Sequence, residues 1–230
     1  MKKSNIITTM AMAVVLVFGT VTANAQIRGL GQKAKEAATQ AAGNAASKAI
    51  SEKVTFKAFP TTFEEFQAFQ AEYGKTPEGT IAVQLVAMEM YRHDKKVGQQ
   101  CLALCNTDTN LSSATRRLNE LYRENDSYAR PYLVAAMLQG AKPSNGYNPN
   151  KPYTIRLRQD PTKSTERSQM LKGYVIHIQL YSDGYDTPWR SIDVVQQQGD
   201  EYYRVSNCPA ILTQCKEIDF DASDTWHEMK

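Results

Sequence analysis

The hydrophobic pattern of this chain changes period once, at a loop rich in proline, asparagine and glycine around residues 142–152. Before that loop, apolar residues recur every three or four positions, which predicts amphipathic helices. After it, apolar and polar residues alternate, which predicts β-strands. Because the helices precede the strands and the strands have hairpin-length connections, we expect an α+β fold with a helical layer packed on an antiparallel sheet.

About five helices are expected in the first half of the chain. The first starts at Thr62, which forms a capping box with Glu65, and it ends at Gly74. The second starts at Pro77 and is apolar as far as Tyr91, so it should lie in the middle of the helical layer. The other three are a helix that carries two cysteines, a polar helix capped by Ser112 or Ser113, and a last helix over about 127–138.

Four to five strands are expected in the second half. Apolar residues alternate with polar ones from Tyr153 to Arg158 and again from Tyr174 to Tyr181. Gly199 and Asp200 form a turn between two later strands. Those later strands are expected over about 189–196 and 202–205, and a fifth is a candidate over 211–218.

Residues 1–25 have the organisation of a secretory signal peptide. Lys2 and Lys3 precede an apolar stretch over 6–21, and small residues up to Ala25 offer a cleavage site before Gln26. The stretch is shorter than the roughly 20 strongly apolar residues of a membrane span. We therefore expect an exported protein of the periplasm or the extracellular space, without a transmembrane segment after cleavage.

Residues 26–53 differ in composition from the residues that follow. Eight of these 28 residues are alanine and none is aromatic, and the alanines recur with helical period. A stripe of methyl groups buries little apolar surface, so a helical spacer is favoured over a partner-binding or membrane-surface helix. Residues 54–230 are then expected to form a single domain.

Four cysteines would enter an oxidising compartment if the protein is exported. Cys101 and Cys105 are four residues apart on the buried face of one predicted helix, which is a poor geometry for linking them to each other. A disulfide from this helix to Cys208 or Cys215, or one between those two, remains open. So does a set of buried reduced thiols, whereas a four-thiolate zinc site is disfavoured by the spacing.

Several short motifs resemble those of a family of uncharacterised bacterial domains. They are PEGT at 77–80, RPY at 130–132, GAKPSNGY at 140–147, PYTI at 152–155 and SDGYDTP at 182–188. The resemblance covers about residues 59–218; it implies an exported protein of a Bacteroides-type bacterium and no assigned activity or catalytic residue. Family members carry Gly-Ala-Asp-Ser-Pro-Arg-Pro where this chain has Gly-Tyr-Asp-Thr-Pro-Trp-Arg at 184–190.

Motifs for nucleophilic catalysis, phosphate-binding loops and metal binding are absent from the sequence, and we expect no cofactor or metal. The candidate for chemistry is His177, which shares a strand face with Gln179 and Tyr181. It could meet Asp186, Asp193 or Glu201 if neighbouring strands bring them close. A solvated polar strand face is favoured over a catalytic site, and a hydrolase that uses His177 and a carboxylate is the alternative.

The charge balance and the loops favour a binding function. The chain has 27 basic and 24 acidic residues, and without Lys2 and Lys3 the net charge falls from +3 to +1, which gives no indication of a nucleic-acid partner. Aromatic and arginine side chains on proline-rich loops are typical of contact surfaces, although they could equally be buried anchors. We expect a non-enzymatic domain that binds an envelope component or a protein partner. The candidate contacts are Tyr147, Tyr153, Tyr185, Trp189 and Arg190.

Overall fold

The structure is a computed structural model that describes residues 52–124 and 126–219. In this part of the chain, four α-helices pack on one face of an antiparallel sheet, so the predicted α+β class is confirmed. The predicted signal peptide and nearly all of the predicted spacer lie outside the described residues. The helices are α1 (Phe63–Tyr73), α2 (Pro77–His93), α3 (Lys95–Cys105) and α4 (Asp108–Leu121).

The sheet has the strand order β1-β2-β4-β5-β6, and β3 pairs with β4 beyond the end of β2. All of these pairings are antiparallel. None of the helices in the described ranges has the length and apolar character needed to cross a membrane. The strands are β1 (Lys53–Phe56), β2 (Tyr153–Gln159), β3 (Glu166–Ser168), β4 (Gly173–Tyr181), β5 (Trp189–Gln197) and β6 (Tyr203–Asn207).

The first two helices begin where the sequence predicts. The Thr62 hydroxyl accepts a hydrogen bond from the Glu65 amide, and Thr76 caps α2 in the same way through Gly79. The Glu65 carboxylate accepts hydrogen bonds from the amide and the hydroxyl of Thr61, one residue before the N-cap, so the capping box is shifted by one residue. Helix α2 is buried continuously from Gly79 to Tyr91, which confirms its central position.

Three local predictions are wrong, and in each case tertiary contacts decide. Helix α4 begins at Asp108 rather than after Ser112 or Ser113, because the Thr107 amide bonds to the Val205 carbonyl of β6 and sets the start of the helix. The predicted helix over 127–138 is a series of turns with one 3-10 helix, Ala135–Met137. There the Arg130 guanidinium donates to the carbonyls of Ser127 and Ala129, which an α-helix would have used itself.

The third wrong prediction is the strand over 211–218. This segment follows the 3-10 helix Pro209–Ile211 and forms no ladder with the sheet. Its carbonyl groups accept hydrogen bonds from side chains instead: Thr213 from Tyr185, Cys215 from Arg130, and Lys216 from Tyr147. Short strand β1, which precedes all the helices, was not predicted. Its partner in β2 lies about a hundred residues further along the chain.

The core lies between the helices and the inner face of the sheet. Alternate residues of β2, β4 and β5 point into it and are almost fully buried, among them Ile155, Ile178 and Ile192. Because side chains of a strand alternate between faces, the intervening residues form the opposite face of the sheet. We call that side the outer face.

Candidate functional site

Two arginines and two aromatic rings lie together at one end of the outer face. The Arg156 guanidinium carbon is 3.5 Å from the centre of the Tyr181 ring, and that of Arg158 is 4.0 Å from the centre of the Trp189 ring. Tyr181 and Trp189 are cross-strand partners with an edge-to-face contact, 5.1 Å between ring centres. We call these four residues the arginine–aromatic cluster.

The two guanidinium groups of the cluster have different partners. Arg156 lies 3.7 Å from an oxygen of Asp183, whose other oxygen accepts a 2.7 Å hydrogen bond from the Tyr181 hydroxyl. Arg158 is exposed and donates from Nε to the Gln179 side-chain carbonyl at 2.8 Å. Within the described ranges, no carboxylate lies within ion-pair distance of Arg158, so its terminal nitrogens are available to a ligand.

This arrangement suits the recognition of an anionic group. The contact with the Trp189 ring and the bond to Gln179 restrain the Arg158 guanidinium, so less side-chain freedom is lost when it binds. A guanidinium held in this way presents two N–H groups in the geometry that a carboxylate or a phosphate accepts. The Arg156 Nε atom is buried and makes no hydrogen bond.

The outer face also carries a pair formed by His177 and Asp193, which are directly opposite each other on β4 and β5. His177 Nδ1 and Asp193 Oδ1 are 2.7 Å apart, and both residues are buried. The other Asp193 oxygen accepts a hydrogen bond from Asn207 at 3.0 Å. Of the carboxylates proposed from the sequence as partners of His177, Asp193 is the one that the structure brings to the ring.

The two other proposed partners of His177 are engaged elsewhere. Asp186 forms an ion pair with Lys216, and Glu201 forms one with Lys75. The second ring nitrogen of His177 instead lies 3.9 Å from a carboxylate oxygen of Glu166 on β3. His177 therefore lies between two carboxylates. Within the described ranges, no serine, threonine or cysteine is hydrogen-bonded to its ring as a nucleophile would be.

Asp160 adds a further acid beside this pair. Its amide donates to the His177 carbonyl, and its side chain is buried. Burial alone would raise the pKa of Asp160, but hydrogen bonds from the hydroxyl and amide of Thr162 stabilise the carboxylate, so the pKa lies below its ordinary value of 3.8. Asp160 therefore stays ionised near His177.

Most of the loop residues that the sequence proposed as contacts hold the loops in place. Tyr147, Tyr153 and Tyr185 are buried. Burial raises the pKa of the Tyr147 and Tyr185 hydroxyls, which donate to the carbonyls of Lys216 and Thr213. These three side chains are therefore buried anchors, the alternative to a contact surface that the sequence left open.

Arg190 and Trp189 differ in their surroundings. Arg190 is half-buried, donates to the Ala210 carbonyl and the Thr213 hydroxyl, and covers the Tyr185 ring at 4.3 Å. Trp189 is half-buried on the outer face, where it forms part of the arginine–aromatic cluster. Trp189 is thus the one residue of the five that belongs to the cluster.

Sequence reasoning missed the other three members of the cluster. The alternation along β2 already places Arg156 and Arg158 on one face, and the alternation along β4 places Tyr181 on the face of His177. The missing information was the strand order, which puts β4 between β2 and β5. Without that order, nothing relates the arginines to Trp189.

All four cysteines are buried and reduced in the structure. Burial raises the pKa of Cys101, Cys208 and Cys215 to about 12, and that of Cys105 is also raised. The thiols are therefore neutral and unreactive at physiological pH. In the described ranges, no group of three or more histidine, cysteine or acidic residues is placed to hold a metal ion.

Two cavities flank α4, and neither contains a member of the arginine–aromatic cluster. One, of about 400 Å³, lies between α4 and the end of β6, where Asn110 and Asn207 line it. The other, of about 600 Å³, is lined by α4 residues such as Thr115 and Asn119 together with Gln99 of α3. Arg116 is exposed and lines both.

Comparison with known proteins gives one family and no assigned activity. Residues 58–219 match a family described as a domain of unknown function, DUF6935. No curated protein matches the chain significantly, and no solved structure does so. The family match covers all four helices and β2 to β6.

Proposed function

Because the chain belongs to this family of domains of unknown function, we propose a function from its surface chemistry: it is an exported, non-enzymatic domain that binds a component of the bacterial cell envelope. The contact surface is the arginine–aromatic cluster. This differs from the loop surface expected from the sequence, and Trp189 is common to both.

One observation carries the proposal. Arg158 is exposed on the outer face, lies over the Trp189 ring, and has no acidic partner among the described residues. Arginine and tryptophan are the side chains that contribute most often to binding hot spots. A guanidinium that is already held in place loses less conformational entropy on binding than a free one.

Export is the second part of the proposal and rests on the sequence. Residues 1–25 have the charge, the apolar stretch and the small residues of a secretory leader. The motif resemblance to exported proteins of Bacteroides-type bacteria supports the same location. N-terminal sequencing of the protein recovered from the envelope fraction of its host should start at Gln26. Recovery of the intact leader on a cytosolic protein would contradict export.

The binding experiment uses the mature protein and three purified envelope fractions. These are peptidoglycan sacculi, vesicles that contain lipopolysaccharide, and solubilised envelope proteins. The wild-type protein should bind one fraction, and Arg158→Ala or Trp189→Ala should weaken that binding at least about tenfold, as expected for hot-spot residues. Arg167→Ala, at an exposed arginine of β3 outside the cluster, is the matched control and should bind like wild type.

Two outcomes would reject the binding surface. Equal binding by wild type and Arg158→Ala would place the contact elsewhere on the domain. Absence of binding to all three fractions would remove the envelope component as the ligand class.

The His177–Asp193 contact favours a second candidate function, a hydrolase that uses His177 as a base. The 2.7 Å bond would orient the ring as in known catalytic pairs. Ester, phosphoester and glycoside substrates should then be turned over by wild type and at least about a hundredfold more slowly by His177→Gln. If wild type turns over none of these substrates, or if wild type and His177→Gln react at equal rates, the His177–Asp193 pair has a structural role only.

A further inference from the structure

The C-terminal part of the described chain packs on the loop that joins the two rings of the arginine–aromatic cluster. The loop 182–188 joins Tyr181 to Trp189, the two rings of the cluster. Lys216 lies against this loop: its amide donates to the Gly184 carbonyl at 2.8 Å and its ammonium group is 2.8 Å from Asp186. The last described residue, Asp219, is three positions further along, where its amide donates to the Pro143 carbonyl at 3.3 Å.

The residues that follow offer negative charges for the arginines of the cluster and aromatic rings that can pack on its own rings. The segment 220–230 has the sequence FDASDTWHEMK, with three acidic residues, one lysine and two aromatic residues. The cluster contains two guanidinium groups, and the Asp183 carboxylate near Arg156 balances one of them. Within the cluster, Arg158 is therefore the guanidinium group without a carboxylate partner.

The length of the segment allows contact with the cluster. Eleven residues in extended form span at most about 36 Å, at about 3.3 Å per residue. A single strand-to-strand step in a sheet is only about 5 Å. The aromatic residues of the segment could then pack beside Tyr181 and Trp189 while a carboxylate reaches Arg158.

We propose that the arginine–aromatic cluster is a receptor for an acidic peptide segment, and that residues 220–230 of the same chain occupy it. This inference rests on the proposed function, because it assigns an occupant to the same surface. Contacts between exposed charges are weak and screened by salt, but attachment to the same chain gives the segment a millimolar effective concentration. Occupancy is therefore reversible, and an acidic envelope ligand competes with the segment.

The two tryptophans of the chain make the inference measurable. Trp189 lies in the cluster and Trp226 in the segment, so the indole region of a ¹⁵N NMR spectrum contains one signal from each. Deletion of 220–230 should remove the Trp226 signal and shift that of Trp189. Arg158→Ala should shift the Trp226 signal, and the control Arg167→Ala should leave it in place.

A second variant separates docking from any effect of truncation on folding. The triple variant Asp221→Asn, Asp224→Asn and Glu228→Gln keeps the chain length and removes the negative charges. It should shift the Trp189 signal towards its position in the deletion variant, and so should 0.5 M salt acting on wild type. A synthetic 220–230 peptide should restore the wild-type Trp189 signal in the deletion variant. The same peptide with Asp221→Asn, Asp224→Asn and Glu228→Gln should not.

Several results would overturn the inference. One is an unchanged Trp189 signal after both the deletion and the triple substitution. Another is a Trp226 signal that does not respond to Arg158→Ala. A Trp189 shift that depends on protein concentration would identify the segment of a second copy as the occupant and contradict the intrachain contact.

The same reagents distinguish this inference from the proposed function. If the segment docks but neither wild type nor the deletion variant binds an envelope fraction, the inference stands and the proposed function fails. If an envelope fraction binds through Arg158 with equal affinity to wild type and the deletion variant, the proposed function stands and the intrachain occupant is rejected.

Discussion

Arg158 of β2 reaches across β4 and lies with its guanidinium carbon 4.0 Å from the centre of the Trp189 ring on β5. This contact connects three strands of the outer face and leaves the end of the arginine side chain exposed. A cation over an aromatic ring at an exposed site contributes about 0.5–1 kcal/mol. The contact therefore adds little to stability compared with what it can add to recognition.

We predict that Arg158→Ala lowers the free energy of unfolding by no more than about 1 kcal/mol, because only an exposed cation–π contact and one hydrogen bond are lost. Urea unfolding followed by circular dichroism measures this. A loss of more than about 3 kcal/mol would mean that Arg158 is a structural residue, and the binding variants would then need a different interpretation.

The His177–Asp193 pair should respond differently. Asp193→Ala removes a buried carboxylate that is bonded to both His177 and Asn207, and we expect a loss of about 2–4 kcal/mol. Asn207→Ala removes one exposed partner and should cost less than about 1.5 kcal/mol. A double-mutant cycle between His177 and Asp193 should give a coupling above about 0.5 kcal/mol. Additive effects would show that the short distance is not an energetic contact.

At Gly98, the backbone of α3 packs closely on Tyr91 of α2. A methyl group there would lie 2.0 Å from the Tyr91 Cα atom, so the helices would have to separate. Gly98→Ala should therefore lower stability by about 3 kcal/mol through overpacking. Gly199→Ala is the comparison: its φ of 88° is strained for alanine, but nothing lies within 4 Å, so about 1 kcal/mol is expected. Equal losses would contradict the close helix contact.

Asp160 should make the protein sensitive to acid. Its pKa in the folded state lies below 3.8, so its ionised form contributes stability that is complete above that pH and is lost as the pH falls through the folded-state pKa. Asp160→Asn should be less stable than wild type at pH 7 and should lose less stability on acidification below pH 4. Unfolding curves at a series of pH values measure this, and parallel pH profiles would reject the contribution.

The buried thiols should be protected from alkylation. At pH 8, iodoacetamide should leave the folded protein unmodified, because all four thiols are buried and their pKa values are raised. In denaturant without reductant, intact mass should show four modifications. No modification of the unfolded, unreduced protein would instead establish two disulfides, as the sequence left open for an exported protein.

Local sequence signals determined the elements whose hydrogen bonds are close along the chain. Thr62 and Thr76 cap the first two helices because each side chain needs an amide only three residues away. The alternation in β2 and β4 likewise specified which residues face the core. Residues 81–90 are apolar except for Gln84 and Glu89, and this was enough to predict that α2 lies in the middle of the helical layer.

Tertiary structure alone decided the features that depend on partners far away in sequence. Strand β1 has four residues and exists because Lys53 to Phe56 pair with β2. The segments 127–138 and 211–218 do not form the predicted helix and strand, because buried side chains such as Arg130 donate hydrogen bonds to their carbonyl groups. The arginine–aromatic cluster and the His177–Asp193 pair depend on strand order and register, which a period of two residues within one strand cannot specify.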